Sequence, residues 1–196
     1  MRVVLASGNA GKLRELNSLL AGLDLQLVSQ VELGIPAVEE TGTTFEGNAL
    51  LKARHAAGAA RLPAIADDSG IEVDALNGAP GLYSARYAGP DADDAANNAK
   101  LLRALQDVPE AARTARYRCV LAFVRYADDP YPLLAQGSWE GRIIDSPRGS
   151  GGFGYDPYFW LPQRGCTAAE LEAGEKDHLS HRGQAMRRLR AALECL

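Results

Sequence analysis

The chain has 196 residues, a length that fits one domain or a tightly fused pair of lobes and buries roughly 70% of its unfolded surface without needing disulfide or metal staples. Its 46% hydrophobic and 23% charged residues are those of a soluble globular protein. The 21 basic against 25 acidic residues, net −4, give no electrostatic case for nucleic acid or an anionic membrane. Three widely spaced cysteines, Cys119, Cys166 and Cys195, exclude a disulfide scaffold and a C-x-x-C site and suit a reducing, cytoplasmic setting. The one anomaly is glycine, with 20 residues against an average of about 7%.

The chain opens with four apolar residues, Val3 to Ala6, fewer than the ~7 of a signal-peptide core, and reads as a buried strand. No apolar run approaches the ~18 residues of a membrane span. A helix follows Ser7-Gly8-Asn9-Ala10-Gly11, with Leu13, Leu16 and Leu20 on one face and Gly22 as its stop. A second helix is expected to open at Thr43 with Glu46 completing a capping box, and to run along Phe45, Ala49, Ala53 and Ala57. Residues 64–66 form a short strand, Asp67-Asp68-Ser69-Gly70 a turn, and 71–73 a second extended segment. Residues 93–106 read as a helix and 116–124 as a strand apolar on both faces at its centre. Residues 128–132 form a turn, 133–139 and 141–144 a hairpin, 158–161 a strand, and 180–195 a last helix capped by Ser180. Early βα alternation followed by a late hairpin gives an α/β protein with a mixed central β-sheet flanked by helices. No linker divides the chain, so residues 1–196 are expected to form a single domain.

Four polar constellations carry the chemistry. Ser7-Gly8-Asn9-Ala10-Gly11-Lys12 joins a strand to a helix N-terminus, where free amides and the dipole can cradle phosphate. It lacks Walker A spacing, and the alternative is a capped turn with a surface lysine. Asp67-Asp68 crowds two carboxylates, a cost that a hard cation such as Mg²⁺ offsets, with Glu39-Glu40 as a further acidic source. The alternative is a solvated Asx turn. Gly149, Gly151 and Gly154 match G-x-G-x-x-G, but Pro157 and an aromatic strand follow where a dinucleotide fold needs a helix. The loop is therefore expected to expose Phe153, Tyr155 and Asp156 over a cleft for purine stacking, unless its aromatics return to the core. Last, His181 and Arg182 fall in the first turn of the final helix, where the dipole disfavours cations and an anionic or carbonyl-bearing partner would be needed.

In this order the motifs resemble the inosine triphosphatase family, in its bacterial dITP/XTP pyrophosphatase branch. The matching segments are 7–12, Glu39-Glu40-Thr41-Gly42 with Thr44-Phe45 and Asn48-Ala49, 66–70, 78–86, 151–157, Lys176, and 180–183. The resemblance implies two lobes around a substrate cleft, a homodimer, and Mg²⁺-dependent hydrolysis of ITP, dITP and XTP to monophosphate and pyrophosphate. It implies that Ser7, Gly8, Asn9, Ala10, Gly11 and Lys12 hold the triphosphate. Asp68 would be general base and, with Glu39 (Glu40 as the alternative), metal ligand, and Ser69 would touch substrate. Phe153, Gly154, Tyr155, Asp156, Lys176, His181 and Arg182 would frame the base. No nucleic-acid or membrane partner is implied. Gly47 departs from the family's usual Glu, which removes the expected carboxylate there, and Glu46 one residue earlier would compensate only in part. A non-catalytic nucleotide-binding regulator is the rival reading, and it leaves the paired carboxylates without a purpose.

Overall fold

The computed structural model describes residues 1–22 and 24–195. Its strands are β1 (Arg2–Ala6), β2 (Gln26–Ser29), β3 (Ala64–Val73), β4 (Thr114–Val124), β5 (Leu133–Ile143), β6 (Phe159–Leu161) and β7 (Cys166–Thr167). Its α-helices are α1 (Ala10–Leu20), α2 (Phe45–Ala60), α3 (Asp94–Ala104), α4 (Ala173–Leu179) and α5 (His181–Leu193). The strands lie in one sheet in the order β2-β1-β3-β4-β5-β6-β7. β1 pairs in parallel with both β2 and β3, whereas β6 pairs antiparallel with β5 and β7, so the mixed α/β class read from the sequence holds.

The chain divides into two compact units. One comprises Met1–Asp68, Cys119–Gly137 and Arg182–Leu196, and the other Ser69–Arg118 and Ser138–His181. In the first, the period-two alternation of strands sorts side chains onto two faces. Val3, Leu5, Ile65, Cys119, Leu121 and Phe123 pack with Leu16 and Leu20 of α1 and Ala185, Met186 and Leu189 of α5. Val4, Ala6, Ala64, Ala66, Val120, Ala122 and Val124 pack instead with Ala49, Ala53, Ala56 and Ala57 of α2. In the second unit, Leu101 of α3 and Leu105 just after it join Ile71, Val73, Tyr117, Trp139, Ile143, Tyr155 and Phe159.

Three local expectations are corrected. Asp67-Asp68-Ser69-Gly70 is the middle of the ten-residue strand β3, with no turn. Gly70 is there because a Cβ would fall onto the Gly81 carbonyl oxygen and 2.6 Å from Ser84 Oγ. Residues 133–143 form one strand and no hairpin. Gly141 is needed mid-strand, where a Cβ would lie 2.6 Å from the Trp160 carbonyl oxygen. The α2 cap is Thr44, whose hydroxyl accepts from the Gly47 amide at 3.0 Å. The third helical position is thus Gly47, so Glu46 forms no capping box with Thr43 and instead accepts from Gln136.

The first unit is locked by a buried ion cluster. Arg182, 2% exposed, donates from Nε to Asp67 Oδ2 at 2.8 Å and pairs with Glu15 of α1. Asp67 also meets Lys12 at 2.6 Å and the Cys119 thiol at 3.2 Å. The first turn of α5 therefore carries its cation against two carboxylates, which answers the dipole conflict noted in the sequence. Removing one member of a buried pair leaves a charge without its partner. Arg182→Ala should cost about 3 kcal/mol in urea unfolding, and a loss under about 1 kcal/mol would show that the cluster does not hold the fold. Gly70→Ala should cost about 1–3 kcal/mol by overpacking, read as a lower denaturation midpoint at constant m-value.

Candidate active site

The site is built outward from β3. Asp67 continues the row of Ile65, so it faces α1 and α5. Asp68 continues the row of Ala64 and Ala66, so it faces α2. The neighbouring carboxylates therefore do not share one location. Asp68 Oδ1 lies 2.6 Å from Lys52 Nζ, and the same ammonium donates to Glu40 Oε1 at 2.7 Å. Glu40 is brought there because Asn48, buried on α2, accepts from the Gly42 amide at 2.8 Å and ties down the segment before the helix. Glu39 is exposed. Of the two glutamates, it is Glu40 that shares a cation with Asp68.

These surroundings separate the two aspartates electrostatically. Burial would raise Asp67, but Arg182 and Lys12 overcome it and hold the carboxyl well below the usual range. For Asp68 burial wins over Lys52, and the group is raised. Burial pulls Lys52 down, but Asp68 and Glu40 reverse this and raise it. Burial, with Asp67 beside it, pushes the Cys119 thiol well up and keeps it protonated.

At the start of α1 the Ser7 hydroxyl accepts from the Asn9 amide at 3.2 Å, and Asn9 Oδ1 caps the Lys12 amide at 3.0 Å. Gly8, Asn9 and Ala10 are exposed, and a Cβ at Gly8 would meet nothing within 4 Å. The amides of Ala10 and Gly11 have no carbonyl one turn back in the helix, so this end offers donors to an anion. Lys12 does not stand alone beside them, because its ammonium already meets Asp67.

The remaining candidates, apart from Arg182, belong to the second unit. Ser69 is a half-buried residue of β3. In the glycine loop, Gly149, Gly152 and Gly154 have φ of +76°, +72° and +64°, a region open to glycine. The Phe153 amide donates to Asp156 Oδ2 at 2.9 Å, and Lys176 Nζ donates to the same oxygen at 2.7 Å. Lys176 also sits 5.0 Å from the centroid of the Phe153 ring. Two of the three side chains expected to lie over a cleft are inside: Tyr155 is 4% and Asp156 3% exposed. The Tyr155 hydroxyl donates to the Ser84 carbonyl at 2.7 Å, and burial raises its pKa. Phe153 is half-buried. His181 stacks on Tyr117, centroids 4.6 Å apart and planes 8° from parallel. Arg182 lies in the Asp67 cluster of the first unit.

Sequence reasoning missed Lys52, Glu15, Cys119, Asp94 and Asn98. Lys52 alone left a signal: it stands one residue before Ala53 in the alanine row of α2, on a face otherwise fit only for close packing.

A sequence model of the Ham1 family matches residues 3–192. A dITP/XTP pyrophosphatase of Thioalkalivibrio sulfidiphilus is 59% identical over 194 residues, covering 99% of each chain. One of Escherichia coli K12 is 58% identical over 192 residues, covering 98% of each. Among solved structures, a HAM1 protein of Coxiella burnetii superposes with a TM-score of 0.92 at 48% identity over all of both chains. The Staphylococcus aureus Ham1 protein gives 0.87 at 41%, covering 99% of this chain and 98% of that one. Matched from end to end in sequence and fold, the chain belongs to the Ham1 family.

Proposed function

We propose that the chain hydrolyses the non-standard purine triphosphates ITP, dITP and XTP to the monophosphate and pyrophosphate, clearing them from the nucleotide pool. The observation that carries this reading is the Asp68–Lys52–Glu40 cluster, in which one ammonium of α2 meets a carboxylate of β3 and another from the segment before α2. The relatives' activity supplies the substrate class. The same reading makes the protein a cytoplasmic homodimer acting on free nucleotides; among the described residues no helix is long and apolar enough to cross a membrane.

Ser7 to Lys12 would receive the triphosphate through the N-terminal amides of α1, with Lys12 and Lys52 offsetting phosphate charge. Asp68 Oδ1 is pinned by Lys52, which leaves Oδ2 to take the proton of the attacking water. Burial raises the proton affinity of Asp68, and Lys52 works against that rise.

The donor set fits Mg²⁺. Glu40 and Asp68 already converge on one cation, Lys52, and both offer hard oxygen ligands. Mg²⁺ takes one or two protein carboxylates and completes its shell with phosphate and water. When bound, Mg²⁺ supplies Lewis-acid charge to the phosphate oxygens. Glu40 and Asp68 would hold it, Glu40 taking the place that the family resemblance gave to Glu39.

Phe153, Asp156, Lys176 and His181 would meet the base. Donors directed at a 6-oxo group face an amino group in adenine, and a site built on such bonds can reject the wrong partner by ~10⁴. Arg182 acts here through Asp67 and Lys12.

Asp68→Asn should fold and lower kcat by about 10²–10⁴; retention of more than a tenth of wild-type kcat with saturating Mg²⁺ removes Asp68 from the base role. The base must be ionised, so kcat/KM should fall as pH drops through a value above the ordinary carboxylate pKa. Lys52→Met removes an influence that lowers Asp68 and should move that acid limb to higher pH; an unmoved limb would assign it to another group. A panel of ITP, dITP, XTP, ATP, GTP and dTTP, with pyrophosphate and orthophosphate detected separately, tests the substrate class. Orthophosphate as the primary product overturns the reading.

A further inference from the structure

The glycine loop of the second unit is gripped at one residue by the first turns of α3. The Gly154 amide donates to Asp94 Oδ2 at 2.7 Å, and Asn98 Nδ2 donates to the Gly154 carbonyl at 2.9 Å. Asp94 and Asn98 are four apart on the helix and so share one face. Asn98 also bonds back to the Asp94 carbonyl at 2.7 Å, which fixes its amide plane and directs the second N–H at the loop. Both main-chain polar groups of Gly154, a residue with φ of +64°, are thus engaged by one helix some 60 residues away in sequence.

The chemistry of Asn98 says what the grip is for. Its side chain is buried, and its Oδ1 has no hydrogen-bond partner. An orphaned buried carbonyl is costly, and an apolar side chain of the same shape would fill the space without that cost. The amide serves this position through its NH₂ group alone, and one of that group's two bonds goes to Gly154.

Gly154 lies between Phe153, whose ring faces Lys176, and Tyr155-Asp156, whose carboxylate ties Lys176 to the Phe153 amide. We propose that Asp94 and Asn98 are positioning residues for purine recognition: by holding the Gly154 peptide groups they set where Phe153, Asp156 and Lys176 present themselves to the base. This rests on the base-site reading above. It moves Gly154 from ligand contact to anchor, because its amide and carbonyl are already bonded to α3. It also separates selection from turnover, since Asp68, Lys52 and Glu40 belong to the other unit.

The test compares kcat and KM for ITP and ATP, with Mg²⁺, in the full chain and in Asp94→Ala, Asn98→Leu, Asp94→Asn and Asp156→Asn. Asp94 is exposed, so Asp94→Ala carries the test even where Asn98→Leu does not fold. Asp94→Ala and Asn98→Leu should raise KM for ITP about tenfold, the scale of one lost hydrogen bond to a charged or fixed partner. Their kcat should fall less than threefold and the ITP/ATP preference should shrink by the same order. Asp94→Asn keeps an acceptor oxygen and should restore most of the preference. A preference in Asp94→Asn no better than in Asp94→Ala overturns the proposal. So does a kcat loss equal to the KM change. A preference that falls in Asp156→Asn but stays at the wild-type value in Asp94→Ala overturns the grip and leaves the base site standing. A preference unmoved in all the variants overturns the base-site reading, and the grip with it.

Discussion

The electrostatics of the first unit turn on the pleat of one strand. Asp67 and Asp68 are adjacent in sequence, and β3 turns them to opposite faces of the sheet. One meets two cations and a thiol under α1 and α5, and the other meets a single lysine on α2. The first is held ionised against strong burial, while the second is raised by burial that its lysine only partly offsets. A Lys–Asp contact of 2.6 Å occurs on each side, so contact distance alone does not distinguish them. What does is the second cation in contact with Asp67, Arg182, which outweighs its deeper burial, whereas Glu40 beside Asp68 adds to the rise there.

That division gives each carboxylate a separate job. A fully ionised, multiply paired group is a poor proton acceptor and a good anchor: Asp67 fixes Lys12 beside the helix terminus and holds α5 through Arg182. A raised, singly paired group retains proton affinity and one oxygen away from its lysine. In the second unit, positive-φ glycines let the loop take a shape that neither a strand nor a helix can impose. Side chains then hold that shape through Asp156, Asp94, Asn98 and the Tyr155 hydroxyl.

Periodic patterns made much of this legible in the sequence. β1, α1, α3 and β4 follow from apolar spacing, and the α1 loop and the His181-Arg182 pair opening α5 were recognisable from composition and position. The two strand errors share one physical source: glycine reads as a turn when it serves a close approach. Gly70 and Gly141 both sit inside strands, where a neighbouring carbonyl leaves no room for a Cβ, and each made one long strand look like two short pieces. Lys52 and Glu40 could not be paired from sequence because their meeting depends on how the segment before α2 is tied to Asn48. Tyr155 looked like a ligand-stacking aromatic and is a core residue, because its hydroxyl finds the Ser84 carbonyl.

The alternation along β3 also constrains how this stretch can change. A substitution alters one face of the sheet, whereas inserting or deleting a single residue ahead of Asp67 exchanges both faces at once. It would swing the ionised anchor towards α2 and the raised carboxylate towards α5. The two aspartates are therefore not duplicates that can cover for each other, and drift in length along this strand is closed to the protein even where drift in composition is open.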